Sequence, residues 1–121
     1  MKIAISATGS DFDSDVDPRF GRCQYFMIVD LETMAFEVVN NSSSMTGEGA
    51  GISAAQTVAK TGSQVVLTGN CGPNACQALL AAGVQLVTGV SGKVRDAIED
   101  YKKGNFQTTT QPNVDAHSGM S

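Results

Sequence analysis

The chain has one histidine, three cysteines and three prolines among 121 residues, and no apolar run near the roughly 20 residues a bilayer span needs. The lone histidine, His117, stands in a stretch without apolar periodicity. Neither a Ser-His-Asp nor a Cys-His arrangement therefore has a folded base. An odd number of cysteines argues against a disulfide framework and fits a reducing compartment. Cys71 and Cys76 are spaced C-x4-C, which is not the pattern of a four-ligand zinc site. No Asp or Glu occurs from Gly49 through Arg95, and none lies in Ile3–Ala7. The expected central strands thus lack the carboxylates that a two-metal nuclease requires. Net charge is −4, with no basic stripe or aromatic platform, which excludes a phosphate backbone as partner. The opening Met-Lys-Ile-Ala-Ile-Ser is too short for a signal peptide and reads as a strand, so a cytoplasmic protein without a membrane partner is expected.

What is present is globular: 41% hydrophobic and 17% charged residues, in a length suited to one core. Residues 1–48 hold eight acids and three bases, whereas 49–121 hold four acids and five bases. Lys2–Ala7, Cys23–Leu31, Ala35–Asn40, Gln64–Thr68 and Val84–Val87 read as strands, the second and third joined as a hairpin through Glu32-Thr33-Met34. Helical spacing begins at Ile52 (with Ala55, Val58 and Ala59), at Pro73 (Ala75, Leu79 and Ala82), and after an expected N-cap at Ser91 (Val94, Ile98 and Tyr101). Gly62, Gly83 and Gly104 end the three runs.

The order β-β-β-α-β-α-β-α with right-handed crossovers gives a mixed five-stranded sheet of order 3-2-1-4-5, with strand 2 antiparallel and helices on both faces. This is a three-layer α/β fold of the ribonuclease H-like kind. Residues 1–104 form the expected domain and 105–121 a flexible C-terminal tail. Strands 1, 3, 4 and 5 then end on one side. The loops there, Thr8–Arg22, Asn41–Gly51, Gly69–Asn74 and Thr88–Gly92, are rich in glycine, and three lead into helix starts. Carboxyl ends of open α/β sheets are where ligands sit, and helix starts favour anions. Arg19, Arg22 and Lys93 add positive charge. A hollow for a bulky anion is expected.

Asp11, Asp13, Asp15 and Asp17 alternate as in a calcium loop, but Val16 and Arg22 stand where an EF-hand needs Gly and Glu; a solvated acidic loop is the reading kept. Gly49-Ala50-Gly51-Ile52-Ser53-Ala54 has a permissive dinucleotide spacing, yet a loop separates it from its strand and no acid follows before Asp96. Cys71 precedes a helix and Cys76 falls in its first turn, where a helix start lowers a thiol pKa and suits metal–sulfur ligation. The other reading of Cys76, and of Cys23, is core packing. Met45 is a thioether contact or a surface side chain.

Asp17-Pro18-Arg19-Phe20-Gly21-Arg22 followed by Tyr25-Phe26, then Gly49-Ala50-Gly51 and Gly69-Asn70-Cys71-Gly72-Pro73-Asn74-Ala75, resemble in order and spacing the motifs of the dinitrogenase iron–molybdenum cofactor biosynthesis proteins. The resemblance spans about residues 1–106 and implies the same fold. It implies a non-enzymatic carrier of an iron–sulfur or molybdenum-containing cluster, with cluster donor or acceptor proteins as partners. Carried over, the contacts are Arg19, Phe20, Gly21, Arg22, Gly49, Gly51, Asn70, Gly72, Pro73 and Asn74. Cys71 and Cys76 stand as metal ligands, with a non-covalent cradle as the alternative. Cys23 replaces the small residue usual after the first motif, and the His-rich tail of many relatives is reduced to His117 and Met120. A regulatory or scaffold protein with a vestigial pocket is the competing class; a Cys-dependent redox enzyme is the third.

Overall fold

The central strand has the longest buried run of the five strands, and its neighbours cover it on both sides. In the computed structural model, which describes residues 1–41 and 50–109, β1 (Lys2–Ala7) is fully buried from Ile3 to Ala7. It is flanked by β2 (Tyr25–Asp30), antiparallel, and β4 (Val65–Leu67), parallel. β3 (Phe36–Asn40) and β5 (Gln85–Val87) form the two edges, giving the sheet order β3-β2-β1-β4-β5. Order, directions and the antiparallel β2 are as the sequence pattern implies.

Alternation along the strands divides the core in two. Ala4, Phe26, Ile28, Val66 and Leu86 face a layer made by α1 (Ala50–Lys60) and α2 (Pro73–Ala81). Ile3, Ile5, Met27, Val29, Val65, Leu67 and Val87 face α3 (Val94–Lys102). The expected helix ends hold, with Gly62, Gly83 and Gly104 in the left-handed region just past them.

The inward faces differ in detail. α1 begins two residues before Ile52 and buries Ala50, Ala54, Ala55 and Val58, which turns Ile52 outward at 40% exposure. On α2 Cys76 is buried and Ala82 is exposed. α3 starts later than Ser91 suggests, with Lys93 at the N-cap position.

The physical reason for that late start is the acidic loop. The Val94 and Arg95 N–H groups donate to the carbonyls of Ser14 and Phe12 at 2.8 and 3.0 Å, and Val16 N–H donates to Gly92 O at 2.8 Å. Arg95 pairs with Asp13 at 2.6 Å. The loop's acids stand beside a helix N-terminus whose dipole favours them. Asp11, Asp13 and Asp15 are exposed, but the loop that carries them is a docked helix cap.

Beyond α3, Phe106 is half-buried against the α3-side core. Thr109 N–H donates to Leu86 O at 2.7 Å.

Candidate functional site

The strand-end rim is held together by main chain. Thr8–Arg22 and the turn after β4 pair in parallel at Arg19 and Asn70. Asn70 N–H donates to Pro18 O at 2.7 Å, and Phe20 N–H to Asn70 O at 3.2 Å. Gly89 N–H donates to Gly69 O at 2.8 Å, tying in the turn after β5. Three of the four expected loops therefore converge. The fourth falls mainly on residues 42–49, so Gly49, like Met45 and His117, lies outside the described residues.

Glycine at this rim serves contacts within the protein. A Cβ on Gly21 would stand 2.9 Å from Gly51 Cα, and one on Gly69 would stand 2.7 Å from Pro18 Cα. Such distances leave no room for a side chain. A Cβ on Gly51 would meet the Cβ of Ala75 at 3.1 Å. Gly21, the first turn of α1 and the first turn of α2 thus stack closely, and the space beside Gly21, Gly51 and Gly69 is filled by the protein's own atoms. Phe20, a contact by the resemblance, is only 1% exposed; it packs against Phe26 with ring centroids 5.2 Å apart and belongs to the core.

The remaining residues of the expected set reach the surface. Gly72 and Pro73 are half-buried, and Arg19, Arg22, Asn70 and Asn74 are exposed. Gly72 caps α2 without a side-chain hydrogen bond, Pro73 opens the helix, and no acid occupies its first turn. Arg19 is partly offset by Asp17, whose carboxylate accepts from the Arg19 N–H at 2.9 Å and lies 3.4 Å from Nε. Among the described residues no carboxylate pairs with Arg22. The local field is that of an anion site: a helix N-terminus lacking acids, with a guanidinium not neutralised by any described acid on the adjoining loop.

Cys71 and Cys76 are 1% and 2% exposed and lie in the α1/α2-side core. Burial pushes the Cys71 thiol from 9.0 up to about 12, with the neighbouring Cys76 adding to it, and raises Cys76 as well. Burial has overcome the lowering expected from the helix start. Cys23, held at about 12 by burial and then by the Asp17 carboxylate, donates to Phe20 O at 3.3 Å. Among the described residues no three His, Cys, Asp or Glu side chains converge as a metal site.

Three positioning residues escaped the sequence reading. Ser6 Oγ donates to Asp17 O at 2.7 Å and accepts from Thr68 Oγ1 at 2.7 Å, tying the first loop to β1 and to the end of β4. Asn41 Nδ2, buried, donates to the carbonyls of Cys23 and Gly21 at 3.0 and 3.4 Å. A polar residue at the rim end of a buried strand was the available signal for Ser6 and Thr68. Asn41 shows nothing distinctive in sequence.

These features define an α/β domain whose strand-end rim is assembled from backbone and cationic side chains. The chain belongs to the dinitrogenase iron-molybdenum cofactor family, whose pattern matches residues 1–104. It is similar to the orange protein of Desulfovibrio gigas, solved in its apo form, at 46% identity, covering 93% of this chain and 95% of that one with a TM-score of 0.90. It is also similar to a provisionally assigned NifB protein of Thermotoga, from the DUF35 family, at 34% identity, 91% and 94% coverage and a TM-score of 0.80. A Methanocaldococcus jannaschii protein is 26% identical over 110 residues, which is 88% of this chain and 90% of the relative.

Proposed function

We propose that the chain is a carrier of an anionic metal–sulfur cluster, held without covalent ligation at the rim between Arg19–Arg22 and the start of α2. The fold is then of the ribonuclease H-like kind, and the 1–104 unit carries the cargo. The observation that carries this reading is the α2 N-terminus: Gly72 and Pro73 stand there with no acid in the first turn, on a turn paired to the loop that bears Arg19 and Arg22. An anion so placed gains from the positive end of the α2 dipole and from the Arg22 guanidinium, with Arg19, partly offset by Asp17, adding less.

Cys71 and Cys76 fit direct ligation poorly. A thiol held at about 12 must lose its proton and leave the core before it binds metal, so thiolate coordination near neutral pH is disfavoured. The same property argues against a Cys-dependent redox enzyme. Membership of a cofactor-assembly family and likeness to a coloured protein solved in its apo form support a cargo that comes and goes. The test is metal and sulfide content of protein purified without oxygen, followed by loading of the apo form with iron–sulfide or tetrathiomolybdate. Bound metal and sulfide in near-stoichiometric ratio is the expected outcome; colourless protein that takes up neither contradicts the reading.

The scaffold reading has one observation of its own. Met1, Met34 and Phe36, exposed at 46%, 37% and 47%, lie near the β3 edge, at the end of the sheet opposite the rim.

A further inference from the structure

The two edges of the sheet are finished differently. β3 carries Glu37 at its exposed edge. β5 has no such device. The sequence from Thr61 through Gly92 contains no charged residue at all, so β4, α2 and β5 lack the edge lysines and inward charges that stop strands from adding to one another. Val84–Thr88 is an uncharged, β-prone run without proline, the composition that pairs with a second chain when exposed.

Only part of β5 offers a free ladder position. Gln85 N–H and Val87 O are directed inward, to Gln64 O and Thr68 N at 2.9 and 3.0 Å. Residues alternate in direction along a strand, so within β5 Leu86 alone turns its peptide groups outward. Its carbonyl is taken by Thr109 N–H at 2.7 Å, in an antiparallel bridge. Asn105 N–H donates to Asp100 O at 3.0 Å, which starts the segment off the end of α3, and Phe106 anchors it on the α3-side core. The family match ends at residue 104, so this segment lies just past it.

We propose that residues 105–109 are an edge guard, occupying the outward ladder position of β5 and so preventing strand addition by the same edge of a second copy. The segment supplies by main-chain pairing what the uncharged strand lacks in side chains. This holds whether or not the rim carries a cluster, because no rim residue takes part.

The test uses the full chain with Phe106→Ser and Thr109→Pro together, which remove the anchor and the donor N–H. Sedimentation velocity is expected to shift toward a faster, concentration-dependent species with native far-ultraviolet circular dichroism. Adding Gln85→Lys to that variant, a charge on the exposed side of β5, is expected to restore the wild-type profile. A native-like variant that sediments as wild type overturns the proposal, as does association that persists with Gln85→Lys. Should the double variant fail to fold, hydrogen exchange on the wild-type chain decides: slow exchange of the Thr109 amide supports the guard, and exchange at the rate of an unstructured peptide overturns it.

Discussion

On the α3 side of the sheet, the helix start is closed. Loop carbonyls from Phe12 and Ser14 take its first N–H groups, and Asp13 neutralises Arg95. On the α1/α2 side, neither helix has an acid in its first turn, the contacts are among Gly21, Gly51 and Ala75, and Arg22 stands exposed nearby. Both sides use the same architecture, yet only one retains an electropositive helix end. Of the acids in the first 48 residues, Asp13 is taken up by Arg95 at the start of α3, while α1 and α2 lie within the acid-free stretch from Gly49 through Arg95. Charge segregation along the sequence becomes charge segregation across the sheet.

The largest effect expected from breaking this comparison lies at Phe20. Its ring joins the first loop to the α1/α2-side core, so Phe20→Ala should cost about 3–5 kcal/mol of stability, read by urea unfolding. Next is alkaline pH. The Cys71 and Cys23 thiols keep their protons to about 12 in the folded chain, whereas the unfolded chain releases them from about 9.0. Their contribution to stability is present below pH 9 and is lost as pH rises from there toward 12. Thermal unfolding of wild type should therefore fall more steeply above pH 9 than that of Cys71→Ala; equal slopes would contradict the burial account. Gly69→Ala, which forces a Cβ against Pro18, should destabilise by about 1–3 kcal/mol in the same urea assay.

The smaller effects sharpen the contrast between the two sides. Arg22→Ala should leave the unfolding midpoint within about 0.5 kcal/mol of wild type, because the side chain is exposed, while cluster retention on a desalting column falls. Arg95→Ala, on the closed side, should cost less than about 1 kcal/mol, since its pair with Asp13 is solvent-exposed, and that loss should vanish in high salt. Retention there should not change.

Strand order and helix ends were legible because they rest on local periodicity and left-handed glycines, as at Gly62 and Gly104. The convergence of the loops was legible from topology alone. What the sequence hid is whom each rim residue faces. Gly21 and Gly69 read alike whether a ligand or the backbone of Gly51 and Pro18 fills the space, and Phe20 reads alike as a surface aromatic or a core ring. Burial of Cys71 comes from a core assembled by segments distant in sequence, so its raised pKa was invisible to a helix-start argument. The acidic ladder hid its role for the same reason: its partner, α3, begins some eighty residues later.

The most direct measurement compares two double variants, each stripped to the apo form without oxygen, offered tetrathiomolybdate or iron–sulfide, desalted and assayed for metal and sulfide. Arg19→Ala with Arg22→Ala should lose most of the bound cluster, while Cys71→Ala with Cys76→Ala should retain it at the wild-type level. The opposite outcome, retention without the arginines and loss without the cysteines, would contradict a non-covalent, electrostatically held cargo.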